Sequence, residues 1–239
     1  MCDNRIHYYL VVDVETANSL EQPLCYDVGG AIIDKRGNIY ETFSYTIRDI
    51  FVYERDLMQT AYYAEKIPFY VEEHHAGTRE MIDFYTARKR ILNLMREYHI
   101  TDVCAYNANF DRNALNVTQR WLTKSKYRYF FPYNTNFICI WNMACQTLCQ
   151  RKTYKEFCEK HQLFSGNGHG VNPNARRLST SAETVYKYLM LDPQYSEEHK
   201  GLDDVKIEVY IFARCMSAHK KFPDGRGINR GCWQKVKRD

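Results

Sequence analysis

A continuous apolar run, HYYLVV at residues 7–12, ends directly in Asp13-Val14-Glu15. An apolar stretch of this length predicts a buried β-strand that stops at Asp13. Because alternate residues of an extended chain point to the same face, both carboxylates are expected to project together at the end of this strand. Two adjacent carboxylates repel each other unless a cation lies between them. The pattern therefore predicts a metal site at this strand end, and a strand end that opens onto solvent is the alternative.

Strand and helix patterns alternate along the chain. Residues 28–33 and 39–47 are predicted to form a hairpin that turns at Gly37 and Asn38. Apolar residues spaced by three and four predict helical structure from about residue 54 to residue 98. The remaining predicted elements are strands at 103–106 and 137–141, a loop at 165–178, and helices at 111–121, from residue 181, and at 201–217. This alternation indicates an α/β fold.

The composition limits the class of protein. The 239 residues are 45% hydrophobic and 26% charged, which is ordinary for a globular protein and excludes a disordered tail or a fibrous repeat. No run of about 18 apolar residues is present and the N-terminus lacks signal-peptide features, so a soluble, intracellular protein is expected. The odd number of cysteines, nine, favours reduced thiols, and we therefore expect a cytoplasmic location.

Two further acidic segments lie at predicted element boundaries. Asp111 follows the next strand, where it either caps a helix N-terminus or faces the same edge of the sheet as Asp13. His199 precedes Gly201, near which the last predicted helix begins, and Asp204 follows in its first turn. If the helix begins there, His199 lies on the preceding turn, and its side chain can approach a ligand that Asp204 binds. The three segments are therefore candidates for one polar site.

Taken together, the three segments resemble the DEDDh family of 3′–5′ exonucleases, which have an RNase H-like fold. The resemblance rests on VVDVET at residues 11–16, AYNANFDRNAL at 105–115 and HKGLDDV at 199–205, in the order of the family. It implies a mixed central sheet of about five strands flanked by helices. The implied exonuclease domain covers residues 1–217, with an atypical, insert-like region at 145–178 and a basic tail at 218–239.

The resemblance also implies phosphodiester hydrolysis with two divalent ions, Mg²⁺ or Mn²⁺, as cofactors. The implied metal-binding and catalytic carboxylates are Asp13, Glu15, Asp111 and Asp204, and the implied general base is His199. The implied substrate-binding residues are Thr16, Asn107, Phe110 and Asn18. Of these, Phe110 is also a candidate core residue.

The predicted function is a 3′–5′ exonuclease that releases nucleoside 5′-monophosphates from the 3′ ends of single-stranded nucleic acid. DNA is the favoured substrate and RNA is the second. A protein distinguishes the two through a few contacts with the 2′-hydroxyl group of the sugar. The alternatives are an exoribonuclease that acts on short RNA and a catalytically silent RNase H-like module that binds nucleic acid. No membrane partner is expected.

Positive charge is concentrated at the C-terminus. The formal net charge is +4, but residues 218–239 contain seven Lys or Arg against two Asp, so this tail carries +5 and the rest of the chain −1. The tail is either a solvated terminus or a segment that contacts phosphates or docks a replication or repair protein, with Trp233 as an anchor.

The cysteines suggest one rival site. A candidate set of zinc ligands consists of Cys145, Cys149, Cys158 and His161. With zinc bound there, the chain would be a nucleic-acid-binding module stabilised by the metal. Zinc knuckles have a tight CxxC spacing, which this set lacks. Buried thiols are therefore the favoured interpretation.

Overall fold

A computed structural model describes residues 3–124, 126, 128–165, 177–197, 199–218, 226–228 and 231–236. Its larger strands are β1 (Tyr9–Ala17), β2 (Leu24–Ile33), β3 (Ile39–Ile47), β4 (Glu80–Ile82), β5 (Asp102–Ala105) and β6 (Asn136–Cys139). They form one mixed sheet in the order β4-β3-β2-β1-β5-β6. Two short strands, β7 (Phe164–Ser165) and β8 (Arg177–Leu178), pair separately. The predicted mixed sheet is confirmed, with six strands in place of about five.

Strand β1 lies in the middle of the sheet, antiparallel to β2 and parallel to β5. Strands β2 and β3 form the predicted hairpin, and Gly37 in its turn has a φ of 82°, a conformation that favours glycine. Strands β4 and β6 add in parallel at the two edges. The central position buries β1 on both faces, which explains the continuous apolar run at its start.

Helices cover both faces of the sheet. They are α1 (Arg48–Phe51), α2 (Arg55–Met58), α3 (Ile67–His75), α4 (Phe84–Glu97), α5 (Ala108–Leu122), α6 (Ile140–Thr147), α7 (Lys152–Lys160), α8 (Ala182–Met190) and α9 (Gly201–Met216). Within the described ranges, no helix combines the length and apolar character needed to cross a membrane. Leu10 and Val12 of β1 share a core with α4 and α5, whereas Tyr9 and Val11 share one with α6 and α9. The sheet is therefore a layer between two layers of helices.

Two predicted elements are wrong where strand pairing overrides the local pattern. Strand β1 does not stop at Asp13 but continues to Ala17, because β2 pairs with it over this whole length. The predicted helical region at 54–98 is divided, because Glu80–Ile82 joins the sheet beside β3. Hydrogen bonds to a neighbouring strand decide the structure in both places, and local periodicity does not reveal them.

Element boundaries in the second half agree better with prediction. The predicted strand at 137–141 ends at Cys139, and α6 begins with the next residue. Helix α5 begins at Ala108, before the predicted residue 111, which places the acidic residue of that segment within its first turn. Helix α8 follows Ser181, whose hydroxyl accepts the backbone N–H of Thr184 at 3.2 Å. Helix α9 begins at Gly201, as predicted.

The cysteines that the structure describes are free and buried. Cys145, Cys149 and Cys158 belong to the core on the α9 side of the sheet. His161 lies at the C-terminus of α7, and in the described part of the chain it joins no group of metal-ligating atoms with these thiols. The prediction of buried thiols is confirmed for these three cysteines.

The C-terminal segment packs against the sheet layer where the structure describes it. Cys232 is buried, and the backbone N–H of Cys139 donates to the carbonyl of Arg226 at 2.9 Å. The interpretation as a solvated terminus is therefore wrong for Cys232 and Val236, which are buried, whereas Gln234 and Lys235 are exposed. The predicted loop at 165–178 falls mostly outside the described residues, which omit 166–176.

Candidate active site

Strand β1 and helix α9 bring three carboxylates together. Asp13 and Glu15 lie on β1, Asp204 lies in the first turn of α9, and one oxygen of each lies within 4.8 Å of the others. Two glycines allow this approach, since a Cβ at Gly29 would lie 2.2 Å from the backbone of Gly201. The helix therefore begins directly against the central strands, and this contact brings Asp204 to β1.

Asp111 supplies a fourth carboxylate, from helix α5. The residue is buried, and the backbone N–H of Val14 on β1 lies close to its carboxylate. Burial raises the pKa of Asp111 to about 7, although the backbone N–H groups of Asp111 and Val14 act in the opposite direction. Asp111 thus lies beside the strand that carries Asp13 and Glu15. All four predicted carboxylates line one cavity.

Burial and mutual repulsion raise the pKa values of these carboxyl groups. The pKa of Glu15 is raised to about 9, first by burial and then by the charge of Asp204. The pKa of Asp13 is raised well above its usual range by burial, then by Glu208 and Asp111. Divalent cations such as Mg²⁺ prefer carboxylate oxygens and would relieve this repulsion. The donor set therefore fits a hard divalent ion.

A fifth carboxylate of the cavity, Glu208, is absent from the predicted set. It lies one turn after Asp204 on α9, is 3% exposed, and has the backbone N–H of Tyr106 close to its carboxylate. Its Oε2 has no hydrogen-bond partner among the described residues. A buried carboxylate oxygen without a donor is costly unless a cation meets it. The sequence signal that could have revealed Glu208 is its spacing from Asp204. The two acids are four residues apart, which places them on one face of a helix.

His199 lies on the turn before α9, as predicted, with a φ of 52°. Its ring stacks on that of Tyr63 with the centroids 3.9 Å apart, and its Nδ1 lies 4.0 Å from Oε2 of Glu197. The pKa of Glu197 is raised to about 8 by burial and then by Asp204. Tyr63, Glu197 and His199 all line the cavity. These contacts orient a partly buried imidazole beside the carboxylates.

Glu183, Glu197 and His199 form a second group whose ligand atoms lie within 4.8 Å of one another. Glu183 forms an ion pair with Lys187 and accepts the backbone N–H of Glu197 at 3.3 Å. Glu183 is thus already paired within the fold. We therefore interpret this group as the support that orients Glu197 and His199.

A buried carboxylate on β2, Asp27, holds the start of α9. It accepts hydrogen bonds from the hydroxyl of Tyr70 at 2.9 Å and from the guanidinium of Arg79 at 2.8 Å. It also accepts the backbone N–H of Gly201 at 3.2 Å, an amide that has no partner within its own helix. Lys200, the residue before the helix, makes no side-chain cap. Asp27 therefore caps α9 from the neighbouring strand.

The cavity has a volume of about 680 Å³. Among the predicted substrate-binding residues, Thr16, Asn107 and Phe110 line it. Asn18 does not, and its side-chain amide donates to the carbonyl of Gln22 at 2.9 Å. The aromatic residues of the wall are Tyr62, Tyr63, Tyr106, Phe110, Trp141 and Trp233. Flat rings therefore surround a carboxylate cluster.

Metal affinity is expected to increase steeply with pH. The pKa of Glu15 rises from an ordinary 4.5 to about 9 in the fold, so the metal-free protein retains a proton there that a bound cation must displace. The same shift makes the contribution of Glu15 to metal-free stability greatest below about pH 4.5, with a loss as pH rises toward 9. Mn²⁺ titrations between pH 6 and 9 measure the effect. An affinity that does not change over this range would contradict the assignment of Glu15 as a ligand.

No protein-family model and no curated protein matches the sequence. Among solved structures, the chain is similar to the zinc-bound form of an E. coli exonuclease I complex with single-stranded DNA, with a TM-score of 0.53 and 12% identity over 92% of this chain. It is also similar to E. coli exonuclease I with a dT13 oligonucleotide, with a TM-score of 0.52 and 13% identity over 89% of this chain. For the complex with a dA16 oligonucleotide, the TM-score is 0.51 and the identity 13% over 91% of this chain.

The chain spans about two fifths of the length of these exonuclease I chains, since it covers 41 to 42% of them. At 12 to 13% identity, the similarity establishes the fold. The chain shares the fold of these structures, and the RNase H-like fold that the resemblance implies is confirmed. Membership of the DEDDh subtype stays a prediction.

Proposed function

We propose that this chain is a metal-dependent 3′–5′ exonuclease of the DEDDh type, which releases nucleoside 5′-monophosphates from single-stranded nucleic acid. The observation that carries the proposal is the carboxylate cluster, in which oxygens of Asp13, Glu15 and Asp204 lie within 4.8 Å of one another. Asp111 and His199 line the same cavity. A protein that only bound nucleic acid would gain nothing from holding these repelling groups together.

The carboxylate set fits two divalent ions, Mg²⁺ or Mn²⁺. Asp13, Glu15 and Asp204 would hold one ion, and Asp13 together with Asp111 would hold the other. Such ions, when bound, activate a water, neutralise the phosphate and stabilise the leaving oxygen. Glu208 adds to the same cavity wall a buried oxygen that has no hydrogen-bond partner among the described residues.

His199 would accept the proton of the attacking water. Its Nδ1 lies 4.0 Å from Oε2 of Glu197, and Glu197 stabilises the imidazolium once its own carboxyl group, with a pKa raised to about 8, is ionised. Stacking on Tyr63 limits the orientations of the ring. The proton acceptor is thus held in place by one carboxyl and one aromatic neighbour.

The cavity wall supports a single-stranded substrate. Unpaired bases stack on aromatic side chains, and the rings of the wall offer such surfaces. Asn107 is exposed at the start of α5 and makes no capping hydrogen bond with its side chain, so it is available for the terminal sugar or phosphate, as is Thr16. The solved structures that share the fold contain single-stranded DNA, which favours DNA over RNA.

The test is an assay with 5′-labelled single strands of DNA and of RNA that have the same sequence. With Mg²⁺ or Mn²⁺, we expect the DNA to shorten stepwise from its 3′ end, and with EDTA we expect no cleavage. Faster degradation of the RNA would identify an exoribonuclease instead. Binding without cleavage of either strand in the presence of metal would contradict the proposal and leave a binding module.

Replacement of His199 by alanine is expected to lower the turnover rate by about 10²- to 10⁴-fold, the usual contribution of a general base. Mn²⁺ affinity is expected to persist, because the carboxylate ligands remain. Turnover under saturating substrate and Mn²⁺ titration measure the two quantities. His161→Ala is the matched control, since this histidine lies at the end of α7 and outside the cavity. Full activity of His199→Ala would remove His199 from the mechanism.

A further inference from the structure

The C-terminal segment at residues 231–236 is anchored on α6 and the loop that follows it. Cys232 is 1% exposed and belongs to the same buried core as Cys145 of α6. The side-chain amide of Gln150 donates to the carbonyl of Lys235 at 3.2 Å. The backbone is therefore anchored on both sides of Trp233.

The indole of Trp233 lines the cavity that contains the carboxylates. The guanidinium of Arg177 lies 4.4 Å from the centroid of the indole, a cation–π contact. Trp141 forms another part of the wall, and its indole N–H donates to Oγ1 of Thr180 at 2.9 Å. The C-terminal segment lies outside the three acidic motifs, but its indole lines the cavity that contains the carboxylates of those motifs.

Arg177 is the one lysine or arginine among the described residues that line this cavity. Residue Arg177 is exposed, whereas the acidic residues that line the same cavity offer no attraction to a phosphate in the absence of metal. A guanidinium binds phosphate oxygens through two parallel N–H donors, and an indole stacks on a base of any identity. An arginine placed over an indole thus matches one nucleotide of a single strand.

We propose that Trp233 and Arg177 form a subsite for a nucleotide that flanks the scissile phosphate. The base stacks on the face of the indole opposite the guanidinium and the phosphate binds the guanidinium, so the subsite selects single strands without reading their sequence. The proposal deepens the proposed function and rests on it. It also assigns the C-terminal segment to substrate binding, in place of the docking of a protein partner.

Binding of a fluorescently labelled oligothymidylate to the metal-free protein in EDTA tests the subsite without hydrolysis. Trp233→Ala is expected to weaken binding by about 5- to 150-fold, the range for one stacked base. Trp233→Phe keeps a ring and is expected to retain most of the affinity. Arg177→Ala is expected to weaken binding and to lower its dependence on salt concentration, because one phosphate contact is lost.

Trp121→Ala is the matched control, since this exposed indole lies on α5 outside the cavity. Equal affinities of Trp233→Ala and Trp121→Ala would overturn the subsite. Loss of affinity in Trp233→Phe as severe as in Trp233→Ala would also overturn it, since a stacking role tolerates another ring. A protein that binds through Trp233 but cleaves nothing when metal is added would instead contradict the nuclease and leave the subsite intact.

Discussion

Replacement of Asp13 by asparagine is expected to abolish hydrolysis and to raise the melting temperature of the metal-free protein. Burial, followed by Glu208 and Asp111, raises the pKa of Asp13 well above its usual range. Asparagine keeps the size of the side chain but removes the group that repels the other carboxylates, so the metal-free protein is stabilised. The same change removes a carboxylate ligand from the metal. Metal ions supply several kcal/mol of transition-state stabilisation, so the rate is expected to fall by at least about a thousandfold.

Hydrolysis rates and melting curves, in EDTA and in Mg²⁺, measure both effects. Asp56→Asn is the matched control, because Asp56 is exposed on α2, and we expect it to change neither quantity. Asp204→Ala is expected to abolish hydrolysis for the same reason as Asp13→Asn. If Asp13→Asn kept the full stabilisation by Mg²⁺, Asp13 could not be a ligand.

The predicted site residues could be found because each follows a short-range signal. Asp13 and Glu15 end an apolar run, and Asp204 opens an amphipathic helix behind Gly201. The C-terminal parts of strands and the starts of helices meet along one edge of an α/β sheet, so such residues are brought together by the fold class itself. The structure accordingly places the predicted carboxylates and His199 on one cavity.

Glu208 and Asp27 could not be predicted from the same signals, because their burial depends on distant elements. Glu208 belongs to a helix that is buried on a wide face, against the sheet on one side and against α6 and α8 on the other. Asp27 lies before the predicted strand start at residue 28, but β2 begins at Leu24 and buries it. Its partner Arg79 is 52 residues away in the sequence. Neither environment is visible in local periodicity.

The C-terminal segment shows the same limit. Its charge predicted either a solvated end or a segment that contacts phosphates or docks a protein, since residues 218–239 contain seven basic residues. The burial of Cys232 in the same core as Cys145 excludes a fully solvated end. Long-range apolar contacts of this kind form only in the complete fold, so charge alone does not reveal them.

Replacement of Gly29 by alanine is expected to destabilise the protein by at least about 3 kcal/mol and to lower its melting temperature by roughly 6 to 12 °C. The added Cβ would lie 2.2 Å from the carbonyl carbon of Gly201 and 2.2 Å from the backbone nitrogen of Leu202. Backbone atoms cannot avoid a clash by changing rotamer as a side chain does, so α9 has to move away from β2. Gly227→Ala is the matched control, because its nearest neighbour, a carbonyl oxygen at 3.8 Å, is in ordinary contact.

A displaced α9 also carries Asp204 away from β1, so the effect of Gly29→Ala extends beyond stability. At a temperature where Gly29→Ala remains folded, we expect Mn²⁺ to stabilise it less than the wild-type protein, because one of three clustered ligands has moved. Melting curves with increasing Mn²⁺ measure this difference. A variant that melts like Gly227→Ala and responds fully to Mn²⁺ would show that α9 does not start against β2. In that case, the close contact between Gly29 and Gly201 would not be the reason that Asp13 and Asp204 lie near each other.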